Sequence, residues 1–181
     1  MHIEGMSDSA FLERSRYYLA NEYPAKIRLA VSALPRETLW WRPNEESNSI
    51  GNLLVHLSGN IRQWVVTGIG GIEGTRDRAS EFAMRDGPDA PTLLALLESA
   101  VRDADAVLAK LNPADIDREV TIQGRSTTVL AALYHVVEHF SMHTGQILVI
   151  VKMKSPGTVR FYDDADGLAV PLWGGSEGVR R

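Results

Sequence analysis

Residues 127–154, TTVLAALYHVVEHFSMHTGQILVIVKMK, read as one long amphipathic helix. The spacing predicts a start near Thr127 or Thr128 and an end at about Met153. Lys152 and Lys154 then sit where the negative end of the helix dipole favours cations. Ser155-Pro156-Gly157 breaks the pattern. Three of the chain's five histidines, His135, His139 and His143, fall on this one helix at steps of four.

Three further apolar-periodic stretches precede it. The first runs from about Ala10 to Leu34 and is interrupted by Pro24. A proline inside a helix removes one hydrogen bond and kinks the rod, so one bent helix or two short ones meeting at Tyr23-Pro24 are expected. Trp40-Trp41-Arg42-Pro43-Asn44 follows as a connector with two large aromatics that must pack. Ser49 then offers an N-cap for a helix from about Ile50 to Thr67, whose Ile50, Leu53, Leu54, Ile61, Trp64 and Val65 fit a period of 3.6. Residues 70–90 are charged, contain glycine and show no period, and read as a loop. A third helix is expected over Thr92–Leu111, where Leu94, Leu97, Val101, Ala104, Leu108 and Leu111 recur at steps of three and four. Residues 120–124 fit a small strand or hairpin arm without deciding it. Four long amphipathic segments without convincing strands predict an all-α protein, a four-helix bundle with long loops. The expected layout is a single domain over 1–181, with its core at about 10–154. Beyond it an irregular tail over 155–181 packs on the bundle through Phe161, Tyr162, Leu168, Leu172 and Trp173.

Composition narrows the chemistry. The 181 residues include 19 basic and 23 acidic side chains, a net charge of −4, which argues against a nucleic-acid partner and its usual basic face. No apolar run reaches membrane-spanning length and the start has no signal pattern, so a cytoplasmic protein without a membrane partner is expected. There is no cysteine, which excludes disulfides, thiolate metal sites and a cysteine nucleophile. The cluster Gly68–Gly74 lacks the lysine and preceding strand of a phosphate loop.

Histidine is what remains. Side chains four apart share a helix face, but His135 and His143 are separated by about 12 Å along the axis. Two ligands each about 2 Å from one ion can hardly span that. The usable pair is His135 with His139 or His139 with His143, and His139 belongs to both. His2 lies at the terminus and is set aside. His56 is the other internal histidine, flanked at four-residue spacing by Asn52 and Asn60. That polar stripe makes sense if it meets His135, His139, His143 and Gln146 of the last helix. Three histidines with the remaining positions open to water is an arrangement of the catalytic type. His135-Val136-Val137-Glu138-His139 also matches H-x-x-E-H, with Glu138 as general base. The zinc proteases that carry this inverted motif are larger and need a further acidic ligand on a separate helix. Glu138 alternatively partners a ligand histidine or faces solvent.

His139-Phe140-Ser141-Met142-His143-Thr144-Gly145-Gln146-Ile147 resembles the H-x-x-x-H-x-G-Q-I signature on the last helix of the DinB/YfiT-like family. Asn48-Ser49-Ile50-Gly51-Asn52-Leu53-Leu54-Val55-His56-Leu57 resembles that family's second helix, and Trp41-Arg42-Pro43 before it also fits. The resemblance covers about residues 10–154. It implies a four-helix bundle, often a homodimer, with a divalent metal, zinc or nickel, on His56, His139 and His143. His135 then becomes an outer histidine. It further implies a transferase acting on a small-molecule substrate with a low-molecular-weight thiol (bacillithiol, mycothiol or glutathione) as cosubstrate. The alternatives are a metal-dependent hydrolase and a non-catalytic metal-binding stress or scaffold protein. No catalytic side chain is assigned. His135, Glu138, Asn60, Gln146 and Arg62 are the candidates for supporting a ligand or positioning substrate, and Trp40, Trp41 and the aromatic tail for an interface.

Overall fold

In the computed structural model, which describes residues 4–164, 167 and 169–173, Pro24 shapes the first helical stretch. Helix α1 (Glu4–Tyr17) passes into α2 (Tyr23–Val31) through a π-helical turn at Tyr18–Glu22. Pro24 occupies the first turn of α2, and the Tyr23 N–H bonds back five residues to the Tyr18 carbonyl. One extra residue in the ladder absorbs the donor that proline lacks. Two helices thus meet at Tyr23-Pro24, joined by the π-helical turn without a non-helical break.

A short helix α3 (Arg36–Leu39) leads to the connector. Trp40 is buried there and donates from Nε1 to the Pro88 carbonyl at 3.1 Å. Its ring lies where a Cβ on Gly51 would stand 2.7 Å away, so glycine permits the close approach. Trp40 is therefore core and not free for an interface. Trp41 is half-buried, with Lys154 Nζ 4.6 Å from its ring centre.

Helix α4 (Ile50–Ile61) starts at Ser49, whose side chain accepts from the Asn52 N–H while Asn52 Oδ1 accepts from the Ser49 N–H. This reciprocal box satisfies two donors that a helix start otherwise leaves open. The rod continues as a π-helix over Arg62–Ile69. One element then departs from expectation, and another decides a reading that the sequence leaves open. Within the stretch read as loop lies α5 (Arg78–Ala83), capped by Asp77. After α6 (Ala90–Leu108) and a 3₁₀ turn (Pro113–Asp115), β1 (Glu119–Ile122) and β2 (Arg125–Thr128) form an antiparallel hairpin. Gln123 and Gly124 at its tip have φ of 53° and 73°, as a two-residue hairpin turn requires. Helix α7 (Val129–Lys154) follows directly, with Thr128 accepting from the Ala131 N–H. The tail forms a second small ladder, β3 (Tyr162–Asp163) with β4 (Val170–Pro171).

The protein is thus mostly helical, as expected, with two small antiparallel sheets that an all-α fold does not include, one of them a two-residue ladder in the tail. In the first sheet, short β-branched runs (Val120, Thr121 and Ile122 against Thr127 and Thr128) closed by the tight turn at Gln123-Gly124 outcompete helix. In the tail, Phe161 is buried and Trp173 half-buried beneath Lys26. Tyr162 and Leu172 remain exposed, and Leu168, like His2, lies outside the described residues.

The α4 rod packs on both α6 and α7, and α2 packs on α7 and α6. Leu53, Leu54, Leu57 and Ile61 meet Leu93, Leu97, Leu133, Val136 and Phe140 in one buried cluster. Because α4 is enclosed nearly all round, its polar side chains Asn52, His56, Ser58 and Asn60 are buried as well. Each must find a partner or carry a desolvation penalty. Among the described residues no helix is long and apolar enough to cross a membrane.

Candidate metal centre

His56 on α4 and His139 and His143 on α7 converge where the two helices face each other. Their ring centroids are 5.0, 5.1 and 4.4 Å apart for the pairs 56–139, 56–143 and 139–143. One nitrogen from each lies within 4.8 Å of the other two. His56 and His143 are buried and His139 is partly so.

Hydrogen bonds fix which nitrogen each ring turns inward. Glu81 Oε2 lies 2.9 Å from His56 Nδ1, and a carboxylate only accepts, so Nδ1 donates to it and Nε2 is the nitrogen turned to the centre. Gln146 Oε1 sits 2.7 Å from His143 Nδ1, which likewise leaves Nε2 of His143 for the centre. His56 Nε2 and His139 Nε2 are 2.9 Å apart. Of two neutral imidazoles so placed, one must donate to the other, unless a cation stands in for that proton.

Burial, followed by the neighbouring rings of His143 and His56, pushes the His139 pKa down to about 3. Burial also lowers His143, against the opposing pull of Gln146. Neutral, nitrogen-rich and partly dry, the cluster has the donor set that a borderline-soft divalent ion takes, with room beyond three ligands. The residues fit a metal.

The chain's most consequential polar contact sits behind His56. Arg76 Nε and Nη2 donate to the two oxygens of Glu81, both at 2.7 Å, and both side chains are 7% exposed. Burial alone would raise the Glu81 pKa, but the hydrogen bonds from Arg76 and His56 hold it below the usual carboxylate range. Glu81 is therefore ionised and pins the His56 ring, the carboxylate–histidine support common behind metal ligands. Arg76 Nη2 also lies 3.0 Å from His56 Nδ1 and donates to the His56 carbonyl at 3.4 Å. Gly59, one turn along α4, leaves the space: a Cβ there would fall against Glu81 Oε1.

The expected meeting of two polar stripes is only partly realised. Asn52 turns to α5 instead, donating to the carbonyls of Glu81 at 2.8 Å and Met84 at 3.1 Å, and so holds the segment that carries Glu81. Asn60 is buried, its Oδ1 has no partner, and it does not line the cleft over the histidines. Arg62 pairs with Asp103 at 2.6 Å and borders a different cleft. His135 is half-buried 4.2 Å from the Trp64 ring and 5.3 Å from His139. Glu138 is exposed on α7, with no hydrogen bond or ion pair among the described residues. Gln146 stands against His143 as above. Glu81 and Arg76 were not legible: the carboxylate lies 25 positions from His56 in a charged segment. Glycine at 59, three residues after His56 on an otherwise crowded helix, was the one available signal.

Above the histidines opens a cleft of about 550 Å³, walled by Phe82 and Met142 and edged by Arg42, Arg78 and Arg85.

A family model described as "Protein of unknown function (DUF1572)" matches residues 8–161. Two solved structures share the fold. A DinB-like protein of Bacillus subtilis, YjoA, has a TM-score of 0.62 at 23% identity, covering 83% of this chain and 97% of its own. A DinB-like protein of Bacillus cereus has a TM-score of 0.63 at 17% identity, covering 80% and 91%. At these identities the likeness is one of fold, and it agrees with the DinB-like resemblance of the sequence. No functionally curated protein matches.

Proposed function

The chain belongs to the DUF1572 family, and we propose that it is a four-helix bundle holding one divalent ion, zinc or nickel. The ligands are His56, His139 and His143, and the activity is transfer of a low-molecular-weight thiol to a small electrophile. The observation that carries the reading is the convergence of three imidazole nitrogens within 4.8 Å, with two of the rings pinned from behind by Glu81 and Gln146. These partners turn Nε2 of both His56 and His143 toward the centre, where an ion would take it as a ligand.

A divalent ion bound there supplies a centre that favours the thiolate form of a sulfur placed on it. The protein has no cysteine, so the sulfur arrives with a cosubstrate. Phe82, 4.6 Å from the His56 ring, and Met142 wall the cleft and limit water at its floor. A volume of about 550 Å³ suits small molecules. His135, beside Trp64 and His139, is an outer histidine that packs behind His139 and does not line the cleft. Exposed Leu130, Tyr134, Met142, Val149 and Met153 on α7 give a face for a homodimer, and the location we infer is the cytoplasm.

The test is an assay of metal-loaded protein with a thiol panel and a generic electrophile. Turnover that needs both thiol and metal supports the transferase reading. Hydrolysis without thiol points to a metal hydrolase, and no turnover with intact metal binding to a scaffold role.

A further inference from the structure

Resting on the metal reading above, we propose that the cleft selects a ligand bearing carboxylates besides the group it turns toward the histidines. Arg78 and Arg85 are the residues that recognise those carboxylates. Arg42, Arg78 and Arg85 line the same cleft as His56, His139 and His143. Arg42 is committed to the connector: it donates to the Ser47 carbonyl, to Asn52 Oδ1 and to the Met84 carbonyl, and its Nε is buried without a partner. The other two are not committed to any close carboxylate. Arg85 gives Nη1 to the carbonyls of Phe82 and Ala83 at 3.0 and 3.1 Å. Its nearest acid, Glu45, is 4.0 Å away and 94% exposed, beyond hydrogen-bond length and screened by water. Arg78 lies over the Phe82 ring, 4.8 Å from its centre, and Phe82 is itself 4.6 Å from the His56 ring. Among the described residues Arg78 has no ion pair.

The acids that line the cleft are Glu45 and Glu46, both exposed, and Glu81 behind it is already neutralised by Arg76. Three guanidiniums against two solvated carboxylates leave the mouth positive beside neutral imidazoles, and a divalent ion would make it more so. Guanidinium forks match carboxylates in two-point contacts. A neutral or cationic ligand would leave them unmatched.

The experiment loads the untagged full chain with cobalt(II) and titrates it with mercaptosuccinate, a dicarboxylate thiol, and with neutral mercaptoethanol. Sulfur-to-cobalt charge-transfer absorption reads binding without any turnover. Mercaptosuccinate is expected to bind about tenfold tighter, roughly one charge-assisted contact. The double variant Arg78→Gln/Arg85→Gln should bring the ratio within about threefold while retaining its cobalt. A ratio near one in the parent protein, or one that survives in the variant, overturns this inference and leaves the metal reading standing. Failure to take up cobalt overturns the metal reading and this inference with it. Cobalt uptake without a band from either thiol overturns the thiol reading and this inference, but not the metal site.

Discussion

Replacing Glu81 by glutamine removes the charge that two buried partners share while keeping the volume. Arg76 loses the anion that accepts both of its 2.7 Å bonds at a site where each side chain is 7% exposed. His56 exchanges a carboxylate acceptor at 2.9 Å for an amide that can turn either end toward it. Breaking a buried ion pair from one side costs roughly 3–5 kcal/mol, because the surviving charge stays desolvated. Glutamine retains one acceptor oxygen, so the loss should sit near the lower end, about 3 kcal/mol. Loss of the support behind a ligand histidine typically weakens metal binding by about 10–100-fold. Urea unfolding of metal-free protein reads the first quantity, and zinc competition against a chelating dye reads the second. In the pair Arg76→Met/Glu81→Gln the stability loss should fall short of the sum of the single losses, since both remove the same contact. Stability within about 0.5 kcal/mol of the parent, together with unchanged zinc affinity, would refute the claim that Glu81 pins His56.

Gly59→Ala should act through the same pair, because its Cβ would displace Glu81 and meet Arg76 Nε at 2.9 Å. We expect a loss of about 1–3 kcal/mol and weaker zinc binding. A gain in stability, the usual sign for glycine to alanine within a helix, would count against the packing described. In metal-free protein the stability should rise with pH between about 3 and 6.5, because His139 titrates near 3 when folded and nearer 6.5 when unfolded. Over that window the unfolded chain binds the extra proton, so acid favours unfolding. Above pH 6.5 this group contributes its full effect, and urea midpoints that do not change from pH 6.5 to 4 would contradict it. Glu138→Gln should leave zinc content and stability within about 0.5 kcal/mol of the parent, as suits an exposed side chain without a partner. Loss of metal there would revive Glu138 as a functional group.

The two helices that carry the centre were legible because long rods announce themselves by period. Ser49 before α4 and Ser155-Pro156-Gly157 after α7 bound them within a residue or two. The histidine spacing on α7 limited the ligand pairs on geometry alone, and the resemblance selected among them. Other features needed three dimensions. Helix α5 spans six residues, too few to show a period, and its polar composition reads as loop. Its importance lies in Glu81, whose partners Arg76 and His56 are set by tertiary packing. The hairpin of β1 and β2 turns on a non-glycine residue, Gln123, at positive φ, which local preference does not foresee. The polar stripe predicts Asn52 facing the last helix, yet its amide satisfies two carbonyls at the end of α5. Sequence gives the face a residue occupies on its own helix, but not which neighbour covers that face.

Whether the three converging imidazoles hold an ion decides between a metal centre and a plain helical domain. Elemental analysis of untagged protein, purified without chelator and then offered zinc or nickel, should find about one divalent ion per chain, the stoichiometry of a single three-histidine site. His139→Ala should bring that to near zero while His135→Ala keeps most of it. Parent protein that remains metal-free after such exposure, or equal loss from the two variants, would contradict the assignment of His56, His139 and His143.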